Sequence, residues 1–268
     1  MASWNNKLDS YYESQNLGDV LSKGNDGLTL QIKNIADPTE DQDVATKMYV
    51  DRLKKKVSAM EDMLIDAGLF KLADIDSNQY EVADFGGQVW MTQNLKVTRY
   101  PDGNPIPLVG EEIQGTYQED TAWANLADNN TDDAYCVLWN GDALYTWAAA
   151  MGDNAVSSSS NPSNIQGLCP DGWHLPSAAE ITELIDYLVS HEDEAMSFQL
   201  SGWREGKLGA VITEMPHQYT GMLWSATEEN ETKAFILKTS RFYQSVEILM
   251  DLNSNFKSYG LYVRCIKD

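Results

Sequence analysis

Between positions 50 and 67, apolar residues recur at alternating intervals of three and four along the chain. The residues of this heptad stripe are Val50, Leu53, Val57, Met60, Leu64 and Ala67. Such spacing is typical of a coiled coil, in which the stripe faces a partner helix. An amphipathic helix packed on its own domain is the alternative, because about three heptads alone are marginally stable. Pro38 favours a turn over 37–42, Asp43 is the predicted N-cap and Gly68 the predicted C-cap.

A second helix is predicted after position 177, where Ser177 and Glu180 have the spacing of a capping box. The residues that follow form the stripe of a half-buried helix: Ile181, Leu184, Ile185, Leu188 and Val189. A shorter helix is predicted over 143–151, because alanine favours helix there. We expect the second helix to pack on a sheet.

Short strands are predicted on both sides of these helices, from alternating or aromatic runs bounded by turn residues. They are Gln79–Ala83, Gln88–Thr92, Ala234–Lys238, Ser245–Met250 and Gly260–Ile266.

The formal net charge of −22 excludes two classes of partner, nucleic acid and anionic membrane surfaces, because both attract Lys and Arg. The first residues lack a basic and then apolar signal pattern, and no apolar run approaches the length of a membrane span. We therefore expect a protein made in the cytoplasm without a signal peptide and without membrane insertion. The three cysteines lack Cys-x-x-Cys spacing, which disfavours structural zinc.

Candidate chemistry is sparse, and the sequence predicts no catalytic residue, no metal ligand and no cofactor. His174 is interpreted as a structural hydrogen-bonding residue, and no Ser or Cys has a base partner in a local motif. The acidic loop 119–133 could offer oxygen ligands to calcium, but it has no EF-hand spacing and is interpreted as solvated.

The segment Leu21–Asp51 resembles a unit that is repeated in bacteriophage tail-fibre and tail-collar proteins. The matching pieces are Gly24-Asn25-Asp26, then Ile32-x-Asn34-Ile35-Ala36-Asp37-Pro38, then Asp43-x-Ala45-Thr46-Lys47-x-Tyr49-Val50-Asp51. The resemblance implies a trimeric connector in a fibre, which clasps three chains and begins a coiled coil.

The chain from about residue 79 to the end resembles the Fibrobacter succinogenes major paralogous domain. The matching pieces are Gly87-Gln88-Val89-Trp90-Met91-x-x-Asn94-Leu95, Asp102-Gly103-x-Pro105-Ile106, Ala143-Leu144-Tyr145-Thr146-Trp147-Ala148-Ala149-Ala150, Cys169-Pro170-x-Gly172-Trp173-His174-Leu175-Pro176, Leu223-Trp224-Ser225-Ala226-Thr227-Glu228 and Gly260-x-x-Val263-Arg264-Cys265. The resemblance implies an α+β, C-type-lectin-like fold with two helices and a set of twisted short strands. It also implies that Cys169 and Cys265 form a structural pair, either reduced or bonded.

Some proteins with this fold and this kind of carboxy-terminal region are targets of diversity-generating retroelements, which rewrite surface residues near the chain end. Residues 239–259 are rich in Tyr, Phe, Asn and Ser, a composition found in adaptable binding surfaces. The predicted ligand-binding residues are Glu228, Asn230, Glu231, Arg241, Tyr243, Asn253, Asn255, Phe256 and Tyr259.

These observations predict a fibre attachment segment over 1–36, a trimerising turn and coiled coil over 37–68, and a C-type-lectin-like head over 69–268. We expect a homotrimeric receptor-binding protein of a virion tail that joins other tail proteins and binds a bacterial surface protein or glycan. A bacterial surface glycan-binding or structural module is one alternative. An enzyme of the formylglycine-generating type, which would need a solvent-open thiol pair, is the other.

Overall fold

The computed structural model describes residues 38–39, 45–110, 120–126, 132–138, 141–152, 156–195, 200, 202–206, 210–212, 218–242 and 248–268. The predicted attachment segment 1–36 and the predicted N-cap Asp43 lie outside these residues. The chain divides into two compact units, Met1–Ala59 and Met60–Asp268. Within the described residues, the second unit carries the strands and the helices after the first. We keep the name head for residues 69–268 of this unit.

The described part of the chain contains five α-helices and twelve strands. The helices are α1 Lys47–Asp66, α2 Thr121–Ala124, α3 Trp147–Met151, α4 Ala178–Val189 and α5 Glu192–Ala195. The strands are β1 Lys71–Ala73, β2 Gln79–Phe85, β3 Gln88–Met91, β4 Tyr135–Val137, β5 Ala143–Tyr145, β6 Trp173–His174, β7 Trp203–Arg204, β8 Val211–Ile212, β9 Gln218–Glu228, β10 Lys233–Phe242, β11 Leu249–Phe256 and β12 Ile266–Lys267. The fold is mixed α+β with antiparallel sheets, as predicted.

Helix α1 contains the whole heptad stripe except Ala67, which follows its last residue. Thr46 caps its start, because the Thr46 hydroxyl accepts the backbone N–H of Tyr49 at 3.1 Å. Gly68 ends it with a φ of +65°, a left-handed conformation that favours glycine and confirms the predicted C-cap. The alternative, in which the stripe packs on its own domain, is not supported, because the stripe residues of α1 are exposed.

Five antiparallel strands form the largest sheet of the head, in the order β1-β2-β3-β12-β6. The predicted strands Gln79–Ala83 and Gln88–Thr92 correspond to β2 and β3 and are confirmed within two residues. A disulfide joins Cys169 to Cys265, so the expected pair is present and bonded. It ties the segment before β6 to the segment before β12.

The predicted helix over 143–151 is wrong in its first half. Residues Ala143–Tyr145 form β5, which pairs with β4. The helix begins only at Trp147, where the hydroxyl of Thr146 accepts the backbone N–H of Ala149. Pairing with a neighbouring strand therefore overrides the helical preference of the sequence at this position.

Helix α4 confirms the predicted capping box, since the Ser177 and Glu180 side chains each accept the other's backbone N–H. Its apolar residues Ile181, Leu184 and Leu188 are buried in one cluster with Leu223 and Leu237 of β9 and β10. Their neighbours on the same strands, Trp224 and Ile236, point to the opposite face and belong to the other core cluster. The β9–β10 pair therefore has a core on each side.

The carboxy-terminal strands differ most from prediction. The expected strand Ala234–Lys238 is part of the longer β10. The expected strand Ser245–Met250 shares only Leu249 and Met250 with β11, which continues to Phe256, and residues 245–247 lie outside the described residues. The expected strand Gly260–Ile266 is largely replaced by single bridges, including Leu223 with Tyr262, and only Ile266 belongs to β12. Gly260 is needed for close packing, since a Cβ there would lie 2.9 Å from both Arg204 and Trp123.

Candidate functional site

The three-stranded sheet β11-β10-β9 carries most of the predicted ligand-binding residues. Among the described residues, β11 pairs only with β10, so it forms an edge of this sheet. No residue of β11 is buried, and Leu249, Leu252 and Phe256 are exposed hydrophobic side chains. An exposed apolar edge strand is a feature that proteins usually avoid unless it has a binding role.

Asn253 and Asn255 lie on one face of β11, opposite Ile236 and Ala234 of β10. Each side-chain oxygen accepts the backbone N–H of the next residue, at 2.8 Å for Asn253 and 2.9 Å for Asn255. The Asn255 amide nitrogen also lies 3.2 Å from the sulfur of Met222. These bonds fix the amides on the strand while leaving Asn253 exposed and Asn255 half-buried.

An aromatic pair lies at the end of β11, where the ring centroids of Phe256 and Tyr259 are 5.9 Å apart. The ammonium of Lys233 lies 5.1 Å from the Phe256 centroid, within cation–π range. The Tyr259 hydroxyl donates to the Glu205 carboxylate at 3.2 Å. Burial and the nearby Glu205 charge raise the pKa of Tyr259 to about 12, so the phenol is neutral at physiological pH.

The predicted residues Glu228, Asn230 and Glu231 have structural contacts beside this pair. The Asn230 side-chain oxygen accepts the backbone N–H groups of Thr232 and Lys233 and so closes the turn between β9 and β10. Glu228 and Glu231 instead bind the ammonium of Lys257, through the Glu228 carboxylate at 2.9 Å and the Glu231 carbonyl at 3.2 Å.

Lys257 was not predicted, although it connects the turn to the rest of the head. Its side chain is buried and its ammonium lies 4.4 Å from the ring centroid of Trp147. The Trp147 indole in turn donates to the Ser225 carbonyl at 2.8 Å. No local pattern could have indicated this lysine, because its partners come from distant parts of the sequence.

Arg241 lies at the opposite end of β10, where its guanidinium is 5.5 Å from the Tyr219 ring centroid. It follows Lys233 by eight residues on the same strand, which corresponds to a separation of roughly 26 Å. Tyr243 lies outside the described residues. The predicted residues therefore do not form one patch. The group around Phe256 lies at the carboxy-terminal end of β11, whereas Arg241 lies near the first residue of β11, since Ser240 pairs with Leu249.

His174 is buried and bonded on both ring nitrogens, as its structural interpretation requires. Nε2 lies 2.7 Å from the Glu180 carboxylate and Nδ1 lies 2.8 Å from the Asp268 carboxylate. Burial works against the charged imidazolium, but the hydrogen bonds to Glu180 and Asp268 outweigh it and raise the pKa of His174. Burial likewise opposes ionisation of Glu180, but the bonds from His174 and Ser177 hold its pKa below the usual value.

The described residues contain no group of three or more His, Cys, Asp or Glu side chains placed to hold a metal ion. In the same residues, no helix combines the length and the apolar character needed to cross a bilayer. The acidic loop 119–133 was interpreted as solvated, but this is wrong for its described part, because Thr121–Ala124 form α2 and the Trp123 side chain is buried. Residues 119 and 127–131 of the loop lie outside the described residues.

Residues 84–215 match the family model of the Fibrobacter succinogenes major domain. A search of curated proteins found no significant match, and neither did a search of solved structures. The matched segment includes Cys169, His174 and helix α4, and it ends before β9. The β11 edge and its aromatic pair therefore lie outside the part of the chain that the family model covers.

Proposed function

We propose that the protein is a homotrimeric receptor-binding protein of a phage tail fibre, in which the head binds a bacterial surface protein or glycan. In this proposal α1 trimerises, the segment before it joins other tail proteins, and the head has a C-type-lectin-like arrangement. Residues near β11 form the contact surface, and they are the positions that a diversity-generating retroelement would rewrite. The mechanism is adsorption without bond chemistry.

The exposure of the heptad stripe carries this proposal. The side chains of Val50, Leu53, Val57, Met60 and Leu64 are between 37% and 63% exposed. A long apolar stripe on a charged helix is costly in water unless a partner covers it. Heptad spacing makes a second and third copy of the same helix suitable partners.

The β11 edge supports the second half of the proposal. Its aromatic residues supply contact area with little loss of side-chain entropy, and its amides supply hydrogen bonds. An edge strand can also pair with a strand of a protein receptor. Three linked heads would increase a weak single-site affinity by about 10²–10⁴ where all sites can engage.

The disulfide supports a head that works outside a reducing cytoplasm, because such bonds persist mainly in oxidising surroundings. It also disfavours the formylglycine-generating alternative, which needs a solvent-open thiol pair. Cys169 and Cys265 are bonded to each other and completely buried. A bacterial surface glycan-binding module remains the second candidate, since the same disulfide would suit it, and a monomer in solution would favour it.

Aspartate substitutions on the heptad stripe test whether the chain forms a trimer and whether the trimer strengthens attachment. The double substitution Val57→Asp with Leu64→Asp would bury carboxylates in a coiled coil, so we expect the trimer to dissociate. The molar mass measured by light scattering should then fall from about 90 kDa, which is three times 30.0 kDa, to 30.0 kDa. Attachment to receptor-bearing cells should weaken by about 10²-fold or more through lost avidity.

Ser58→Asp is the matched control, because it adds a carboxylate one residue away from the stripe. This variant should remain trimeric and attach normally. A wild-type protein of 30.0 kDa would contradict trimerisation. A dissociated variant that attaches as well as wild type would contradict the role of avidity.

The contact surface is tested separately with Phe256→Ala. Truncation of an exposed aromatic in a binding surface should weaken attachment at least about tenfold, while the mass from light scattering stays unchanged. Leu108→Ala is the control, since Leu108 is also an exposed hydrophobic residue and lies outside the β11-β10-β9 sheet. Equal effects of the two substitutions would place the contact surface elsewhere.

A further inference from the structure

Strand β11 leaves one edge of the three-stranded sheet without a neighbouring strand among the described residues. It has eight residues, whereas the strand at the opposite edge, β9, is bridged to the segments that carry Gly202 and Tyr262. An edge strand presents backbone N–H and C=O groups with which a strand of a second copy of the same chain can pair. Protection of β11 against such pairing must therefore come from its own residues.

The register with β10 shows which backbone groups of β11 face outward. Lys257, which follows β11, donates its backbone N–H to the Thr232 carbonyl at 3.0 Å. Hydrogen-bonded and non-bonded pairs alternate along an antiparallel ladder, so the next residue, Phe256, turns its N–H and C=O away from β10. The same alternation turns the backbone groups of every second residue before it outward, which are those of Ser254, Leu252 and Met250.

The carboxy-terminal half of this edge is closed by bonds within the chain. The side-chain oxygen of Asn253 accepts the outward N–H of Ser254, and that of Asn255 accepts the outward N–H of Phe256. The Phe256 carbonyl accepts the backbone N–H of Tyr259 at 3.0 Å. Three of the four outward groups in this half are thus occupied. A pairing strand would have to break the two amide bonds before it could accept these N–H groups.

The amino-terminal half of the edge is open, but it carries a charge. No hydrogen bond from the described residues occupies the outward groups of Met250 and Leu252. Antiparallel pairing of two copies through these groups alone would join Met250 of one copy to Leu252 of the other. That register puts Asp251 of one copy directly opposite Asp251 of the other, and like charges in this arrangement are destabilising. Asp251 is exposed, and the described residues form no ion pair that would neutralise it.

We infer that Asn253, Asn255 and Asp251 together close β11 to pairing with a second copy of this chain. The two amides occupy the outward N–H groups of one half, and the carboxylate repels its own copy at the other half. A strand of a different protein is not excluded from the open half, because it need not place a carboxylate opposite Asp251. The inference goes beyond receptor binding and needs neither a trimer nor a receptor.

The test frees the outward N–H groups and removes the repelling charge. The triple variant Asn253→Thr, Asn255→Thr and Asp251→Thr introduces polar side chains that favour strands but lack the amide oxygen and the charge. The molar mass of the full chain, measured by light scattering at increasing concentration, should rise for the variant at concentrations at least about tenfold lower than for the wild-type protein. Asn253→Thr with Asn255→Thr should have a smaller effect in the same direction.

Ser254→Thr is the matched control, because it adds the same strand-favouring side chain to β11 but keeps both amides and Asp251. It should associate no more than the wild-type protein, and urea unfolding should show that all variants are folded. The inference is overturned if the triple variant associates no more readily than wild type, or if Ser254→Thr associates as readily as the triple variant.

Amide hydrogen exchange tests the closed half without any association. Asn253→Thr alone, a change at an exposed position, should make the Ser254 N–H exchange about fivefold faster, because its side-chain acceptor is lost. The Leu252 N–H should exchange at an unchanged rate, since no amide of the strand covers it. An unchanged rate for Ser254 would show that the amide does not close the edge and would overturn the inference.

Discussion

Helix α4 buries its apolar stripe against a sheet of its own head, whereas helix α1 leaves its stripe in solvent. Ile181, Leu184 and Leu188 of α4 are no more than 1% exposed, but Met60 of α1 is 63% exposed. Both helices show a regular apolar period in the sequence and both begin at a hydroxyl N-cap. The comparison teaches that periodicity predicts a helix and its apolar face, but does not show which chain supplies the partner.

The two helices should differ most in the free energy of unfolding that is lost when one apolar side chain of each is truncated. Leu184→Ala should lower the free energy of unfolding of the head by about 2–5 kcal/mol, because it leaves a cavity in the core. Leu53→Ala should change the free energy of unfolding of the head by less than about 0.5 kcal/mol, since Leu53 belongs to the other compact unit, Met1–Ala59, and to neither core cluster of the head. Urea unfolding followed by tryptophan fluorescence measures both, and similar losses would contradict the contrast between the helices.

A smaller effect is expected from pH, and only for α4, because its first turn is tied to His174 through Glu180. The pKa of His174 is raised above 6.5, so its contribution to stability is complete below about 6.5 and is lost as pH rises through the raised value. The pKa of Glu180 is lowered, so its contribution is present above 4.5 and lost as pH falls through the lowered value. Stability of the head should therefore decline above neutral pH, by at most about 1.4 kcal/mol per pH unit.

Urea midpoints between pH 6 and 9 measure this slope. His174→Gln is the control, because an amide can keep one hydrogen bond without titrating, and its slope should be flatter. A wild-type midpoint that is constant or rises over the same range would show that the buried imidazolium does not stabilise α4.

Local sequence patterns predicted correctly those elements that depend on interactions between residues close together in the chain. The capping box of α4, the Gly68 C-cap and the strands β2 and β3 follow from neighbouring residues alone. The α+β class followed from the resemblance to a known domain and not from these elements. Strand β5 was mistaken for helix because its pairing with β4 is a tertiary contact that alanine-rich composition does not show.

The site was harder to predict than the fold. Most of strand β11 was not predicted, because neither of its faces is buried and its sequence therefore lacks the alternation of a half-buried strand. The expectation that the predicted ligand-binding positions of this strand are exposed is met by Asn253 and Phe256, whereas Asn255 is half-buried. The same reasoning could not show that Asn230 closes a turn, or that a buried Lys257 holds Glu228.

The disulfide has a mechanical consequence for a protein that would be pulled between an anchor and a target. The bond joins residues separated by 96 positions, and the closed covalent ring contains α4 together with β9, β10 and β11. Tension that enters through α1 and leaves through the β11 edge could extend the segment before Cys169, but it could not draw the ring out to its full length. The surface that holds the target would thus stay folded under loads that unravel the first strands of the head.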